Sequence, residues 1–496
     1  MARLPKSFYN PISLFGAGLA IAVLGTIIVF AVMDMAGAVQ SPYLGIFTYM
    51  ILPGIMILGL LIIPAGIVLE RRRERRAAGA PRKYLLIDLG RPTHRATFMI
   101  FLVGTILLVI VSAAGTYRAY TYSESVEFCG EVCHQVMKPE FFAYQHSPHA
   151  RVRCAECHIG EGADWFVKAK ISGMYQVYSV LFSKFSRPIS TPIHNLRPAR
   201  ETCERCHWPQ KFSNTLDMPK MYFPVDTTVA KPWQITLQLK IGGGMSELGP
   251  TAGIHWHMNT ENHVEYISTD EKRQVIPWVK TTNIRGETRI FRSTEASVTD
   301  SVLAKGEHRT MDCMDCHNRP SHIYYPPFRT VNDLMSLNRI PHDLPGIRAI
   351  ASAVLTKAYT STEDADKSIP VNLHEAYAST APDVAATRAA DINKAGKEIL
   401  EIYRRNFFPE MNANWKAYPN NIGHMYNDGC FRCHDNKHVD QKGHVLTNDC
   451  KVCHLILSQG PAGNTKSDMN GMEFIHPADV GGADKEERCS TCHTGE

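Results

Sequence analysis

Cys430-Phe431-Arg432-Cys433-His434 and Cys450-Lys451-Val452-Cys453-His454 follow one another near the C-terminus. Each sets two thiols on either side of two residues and places an imidazole directly after the second thiol. The same pattern recurs at Cys154, Cys157 and His158, at Cys203, Cys206 and His207, at Cys313, Cys316 and His317, and at Cys489, Cys492 and His493. A wider version stands at Cys129, Cys133 and His134, with three residues between the thiols. All 14 cysteines are used. This is the attachment signature of c-type haem. Two thiols reach the two vinyl groups of one porphyrin, and the adjacent imidazole swings under the ring to ligate the iron. Structural zinc or a disulfide scaffold also uses paired cysteines, but neither requires a histidine after every pair. The expectation is therefore seven covalently bound haems.

Seven of the 22 histidines belong to the motifs. A low-spin transfer haem takes a second axial ligand, usually imidazole or thioether. The favoured candidates lie near motifs: His149, His257, His322, His424, His438 and His476, with Met137 as an alternative ligand for the first haem. His146, His255, His263, His308, His342, His374 and His444 are possible substitutes. His94 is excluded by its place between membrane spans, and His194 reads as an ordinary loop residue.

Three uncharged apolar runs precede the first motif, Ile12–Met33, Leu44–Leu69 and Thr97–Tyr117, each long enough to cross a bilayer as a helix. Pro53 and Pro64 are tolerated in the second. The first run is longer than the roughly 7–15 residues of a signal-peptide core, so it reads as a retained span. Arg3 and Lys6 precede the first span, and the connection after the second holds Arg71, Arg72, Arg73, Arg75, Arg76, Arg82, Lys83, Arg91 and Arg95. The positive-inside rule then puts the N-terminus in the cytoplasm and everything after Tyr117 in the periplasm. Beyond Arg118 the chain carries 41 basic and 44 acidic side chains. Haem propionates add further negative charge, which argues against nucleic acid as a partner.

The motifs divide the outer part unevenly. Expected divisions are a membrane anchor over 1–118, a three-haem segment over 119–210, a β-containing insertion with the fourth haem over 211–345, a helical segment over 346–429 and a C-terminal three-haem segment over 430–496. Ile235–Leu239 and Val264–Ile267 read as strands of a small antiparallel sheet, with Gly242-Gly243-Gly244 as a turn. From Leu344 to Phe408 the apolar residues recur at helical spacing, as at Ile392, Ile399, Ile402 and Tyr403, with a helix start near Asp391. The fold class is thus a three-helix α anchor plus a loop-rich, haem-packed domain with inserted β and helical parts.

Residues 108–207 resemble the NapC/NirT family of membrane-anchored quinol dehydrogenases. The likeness rests on a span running into Phe128-Cys129-Gly130-Glu131-Val132-Cys133-His134, on Tyr144-Gln145-His146-Ser147-Pro148-His149, and on Arg197-Pro198-Ala199-Arg200. It implies that membrane quinol, such as menaquinol, is oxidised beside the first haem, and that single electrons pass to a periplasmic cytochrome or reductase. It also implies a pocket lysine, matched by Lys168 or Lys170, and an acidic group whose place falls near Gln176. Family members usually have one anchor helix and four or five haems, so this chain is most similar to the larger inner-membrane cytochromes of metal-respiring bacteria. Two other readings stay open: a terminal reductase of nitrite, hydroxylamine or a sulfur oxyanion, and an electron-wire subunit of a larger membrane complex.

Overall fold

A computed structural model describes residues 9–35, 48, 51–78, 90–131, 134–193, 196–225, 231–243, 253–259, 261–295 and 299–495. Cys133, His194, Gly244, Arg3, Lys6, Arg82 and Lys83 lie outside the described residues, as does the expected start of the second span at Leu44. The chain divides into two compact units, Met1–Met137 and Lys138–Glu496.

The first unit holds three apolar helices long enough to cross a membrane, α1 (Pro11–Met35), α2 (Leu52–Ala78) and α3 (Pro92–Ser123). Water gives no drive to bury one apolar helix against another in lipid, so close packing depends on small residues. α1 and α2 pack together through such a seam. A methyl group on Gly16 would stand 2.7 Å from the Gly59 carbonyl oxygen, and one on Gly66 would meet Ser13 Oγ at 2.6 Å. Ser13 Oγ donates to the Ile63 carbonyl at 2.9 Å. Pro64 lies within α2 without ending it. Arg71, Arg72, Arg73, Arg75 and Arg76 fall on the last turns of α2 rather than in a loop, where cations complement the negative end of the helix dipole.

In the second unit, each motif begins in or at a short helical turn, and where both cysteines lie within one turn they come to one side. The turns span Cys154–His158, Ala199–Cys203, Cys313–Cys316, Gly429–Arg432, Cys450–Cys453 and Cys489–Cys492. Asp312 and Asp315 form a reciprocal capping box at the fourth motif, and Asp449 caps the sixth by accepting from Lys451 N. Two longer helices flank the early motifs, α4 (His134–Gln145) and α5 (Ala163–Leu181).

The β region differs from the single local sheet expected. Strands β1 (Thr215–Tyr222), β2 (Trp233–Lys240), β3 (His263–Ser268), β4 (Trp278–Thr282), β5 (Thr288–Ser293), β6 (Glu307–Thr310), β7 (His438–Asp440), β8 (His454–Pro461) and β9 (Lys466–Ser467) make two antiparallel sheets. Their orders are β1-β2-β8-β9 and β6-β3-β4-β5-β7. The C-terminal motifs thus donate strands to sheets begun far earlier, with Leu239 opposite His454 and Ser293 opposite His438.

Between the fourth and fifth motifs lie α6 (Pro327–Ser336), α7 (Ile347–Thr356), α8 (Thr362–Thr380) and α9 (Ala389–Asn406). Leu344, Ile347, Leu355, Ile369, Leu373, Ile392 and Ile399 are fully buried there, each contributing about 1.5–3 kcal/mol of apolar burial. Ser361 caps α8 by accepting from Asp364 N. α9 begins at Ala389, two residues before Asp391.

Candidate haem-binding sites

Two imidazoles on opposite faces of one iron, each bonded at about 2 Å, hold their ring centroids about 6 Å apart. Six motif histidines meet another histidine at that spacing. His158 faces His322 at 6.2 Å, and His207 faces His149 at 6.1 Å. His317 faces His255 at 6.4 Å, and His434 faces His257 at 5.9 Å. His454 faces His424 at 6.3 Å, and His493 faces His476 at 6.1 Å.

The second ring nitrogens fit the same chemistry. A carbonyl oxygen only accepts, so an imidazole Nδ1 bonded to one carries the proton and leaves the Nε2 lone pair for metal. Nδ1 of His149 meets the Pro320 carbonyl at 3.3 Å, that of His255 the Ile241 carbonyl at 2.8 Å, and that of His257 the Ile254 carbonyl at 3.1 Å. His322 uses the Glu140 carbonyl at 3.0 Å, His434 the Thr447 carbonyl at 3.1 Å and His476 the Ala478 carbonyl at 2.8 Å. His424 and His454 differ, since Nδ1 of each is buried without a hydrogen-bond partner. Burying such atoms unsatisfied costs about 1–3 kcal/mol each.

Burial also favours the neutral imidazole that metal requires. It holds His158, His257 and His454 down at about 4. Burial lowers His255, His317, His322, His424, His434 and His493 as well.

His438 is a correction. Its Nδ1 bonds Asp435 Oδ1 at 2.9 Å and its Nε2 bonds the Ile276 carbonyl at 2.7 Å. Both its nitrogens are engaged by protein partners, and it is His255 that faces the fourth motif's His317. His255 and His257 share one 3₁₀ turn, Ile254–Met258. Residues two apart on such a turn point in different directions, so one turn faces two motifs. Of the other candidates, His146 bonds the Phe142 carbonyl, His374 bonds Asn393, and His444 bonds Asp440. His342 stacks on Phe223, His308 packs on Trp278, and His263 begins β3.

The first motif is represented by Cys129, which lies in the short helix Val126–Glu131, and by the start of α4 at His134; Met137 follows on that helix. No two of the thirteen described cysteines are joined in a disulfide. Burial pushes Cys316 and Cys433 up to about 12, and Cys453 up to about 11. Among the described residues no three Cys, His, Asp or Glu side chains converge as a protein-only zinc site requires. One connected cavity of 3260 Å³ is lined by Cys203, Cys313, Cys430, Cys450 and Cys489, among others. It is several times larger than the roughly 300–1,000 Å³ of an ordinary ligand pocket, and so has room for more than one porphyrin.

Local sequence explains how the early ligands are presented. Tyr144 Oη donates to the Ala150 carbonyl at 2.8 Å, and Ser147 Oγ accepts from His149 N at 3.1 Å. Together they fix the turn that carries His149. Arg197 reaches back to the Glu161 carbonyl at 2.7 Å, over Gly160, whose φ of 68° and lack of Cβ leave space for the guanidinium.

Lys168, Lys170 and Gln176 all lie on α5. Lys168 Nζ sits over the Trp165 ring at 4.6 Å, Lys170 Nζ over the Phe166 ring at 4.9 Å, and Gln176 donates to Ser172 Oγ at 3.4 Å. The helix also exposes Val167, Ile171, Met174, Tyr178 and Leu181. That spacing gathers them on one face, an apolar stripe turned away from the core.

Residues 91–192 match the N-terminal region of the NapC/NirT cytochrome c family. The chain is 43% identical over 489 residues to the cytochrome c-type protein ImcH of Geobacter sulfurreducens, covering 98% of this chain and 95% of that relative. No solved structure matches significantly.

Proposed function

Because this chain belongs to the NapC/NirT cytochrome c family, we propose that it oxidises membrane quinol and passes the electrons through seven covalent haems to a soluble partner outside the cytoplasmic membrane. The coarser identity, a c-type cytochrome with covalently bound haem, follows from the family itself. The observation that carries the finer reading is the set of six histidine pairs at 5.9–6.4 Å. Bound haem supplies an iron that exchanges one electron at a time.

The chain's own residues do the rest. Each motif would hold one porphyrin through its two cysteine sulfurs and offer its histidine to the iron. His322, His149, His255, His257, His424 and His476 would offer the second imidazole to motifs two to seven in that order. Carbonyl-anchored Nδ1 atoms hold most of these rings in the ligating tautomer. With two imidazoles available at each of six sites, haem held there would have no open position for nitrite or a sulfur oxyanion, which favours a carrier over a terminal reductase. At the first site, Met137 remains the proposed second ligand.

The quinol must come from the bilayer, and the apolar stripe of α5 is the surface suited to lipid. Lys168 and Lys170 lie beside that stripe. In this reading an ammonium group hydrogen bonds the quinol oxygen and eases its deprotonation by its positive charge. Quinol then gives up two protons and two electrons and leaves as quinone. Gln176 stands where an acidic proton acceptor is implied by the family, and as an amide it does not take that proton, so water near the lysines serves. The test replaces Lys168 and Lys170 together with alanine. Intact mass should still show seven haems, while haem reduction by a menaquinol analogue in stopped flow should slow at least tenfold. Unchanged kinetics would falsify the pocket, and fewer than seven haems in the parent chain would overturn the stoichiometry.

A further inference from the structure

The motifs are ordered in space as well as in sequence. Within the second motif, Glu156 accepts from Arg205 of the third at 3.4 Å, and their helical turns pack together. The turn of the third motif also packs on that of the fourth, with Cys203 beside Cys313. Arg432, inside the fifth motif, donates to the Asp315 carbonyl inside the fourth at 2.7 Å. The 3₁₀ turn bearing His255 and His257 bridges the same two sites.

The fifth motif then touches both that follow. Phe431 stacks on His424, which faces the sixth motif, with centroids 4.2 Å apart. Asp428, two residues before Cys430, accepts from Ser490 inside the seventh motif at 2.5 Å and from Arg488 at 2.6 Å. The sixth and seventh are joined in turn by Lys451, which pairs at 3.1 Å with Glu473, close in sequence to His476. The result is a single file from the second motif to the fifth, opening onto two terminal sites.

The segment that connects those terminal sites has a distinct surface. Between Lys466 and Glu487 it carries six carboxylates, Asp468, Glu473, Asp479, Asp484, Glu486 and Glu487, against two lysines. Residues 463–470 are exposed throughout, and Met469 is 79% exposed. Phe474, Ile475 and Val480 are exposed apolar side chains among these charges. Weak redox encounters use such small patches, steered by complementary charge.

We propose that a basic redox protein docks on the Lys466–Glu487 segment and draws electrons from the two C-terminal sites. The proposal rests on the reading that the histidine pairs hold haem. The transfer is outer-sphere: the terminal site is oxidised by one electron, the partner is reduced by one, and no bond or proton changes hands. The segment lies at the end of the file opposite the second motif, and its carboxylates favour a partner whose docking face carries net positive charge.

The experiment uses the full haem-loaded chain in detergent, with a lysine-rich monohaem cytochrome c as the probe. The chain is reduced chemically, so the outcome does not depend on quinol oxidation. Carbodiimide cross-links to the probe should map to Asp479, Glu486 or Glu487, and oxidation by the probe should slow steeply as salt rises. The triple variant Asp479→Lys, Glu486→Lys and Glu487→Lys should keep its haem spectrum, lose these cross-links and transfer about tenfold more slowly with a flat salt dependence. Wild-type transfer in that variant overturns the proposal. So do cross-links that map elsewhere or join two copies of the chain. Loss of quinol oxidation with this docking intact overturns only the earlier reading.

Discussion

At the scale of single residues, His255 and His438 separate ligand from scaffold. Replacing His255 with alanine should leave the fourth-motif iron five-coordinate, seen as one new high-spin haem by EPR. Replacing His438 with alanine should leave every haem low-spin but strand buried Asp435 and the Ile276 carbonyl, lowering stability by about 1–3 kcal/mol in denaturant unfolding. The ring planes make a second prediction. His255 and His317 lie within 4° of parallel and His424 and His454 within 11°, whereas His149 and His207 cross at 78° and His257 and His434 at 87°. Parallel rings donate to the same iron orbital and split its partner away, while crossed rings leave the two nearly degenerate. Low-temperature EPR should therefore contain both rhombic and strongly anisotropic low-spin signals, and a uniform set would contradict the pairing. The cysteine motifs were legible from sequence because covalent chemistry fixes their spacing. Second histidines are brought in by tertiary folding, so proximity to a motif singled out His149, His257, His322, His424 and His476, each of which faces a motif histidine, but favoured His438 over His255. The doubled histidines of the Ile254–Met258 turn were the available signal, since one turn can serve two irons.

At the scale of elements, helices were read more faithfully than sheets. Ile392, Ile399, Ile402 and Tyr403 are all buried on α9, as their helical spacing implied. Truncating Ile399 to alanine should cost about 2–5 kcal/mol, measured by denaturant unfolding, with haem spectra unchanged because no motif lies in that helical block. The strands over 233–240 and 263–268 were equally visible, but nothing local announces that β8 pairs with β2 or β7 with β5. Those partners are decided by where the haem motifs must lie. The α5 stripe yields a further test. A spin label placed at Met174 in the membrane-reconstituted protein should be relaxed more by oxygen than by a water-soluble nickel chelate, and the reverse ratio would remove α5 from the lipid surface.

Across the whole molecule, two kinds of core coexist. The block from α6 to α9 closes on its own aliphatic side chains, whereas the motif-rich remainder surrounds a 3260 Å³ cavity that polypeptide alone does not fill. Expressed without haem attachment, the outer domain should lose its motif-rich part to limited proteolysis and leave a resistant fragment spanning α6 to α9. Uniform digestion would show that the block is not an independent core.

The pairing of β2 with β8 also sets a timetable. A chain emerging from its N-terminus exposes the edge of β2 long before His454 and the strand behind it arrive, and His158 and His257 must likewise await His322 and His434. Early motifs therefore stay slack and reachable while their porphyrins are being stitched on. Only a polypeptide delivered past Pro461 can close the edge of β2. An interrupted copy would be left with raw strand edges and unmatched imidazoles, open to the proteases that clear unfinished proteins, so completeness is checked by the architecture itself.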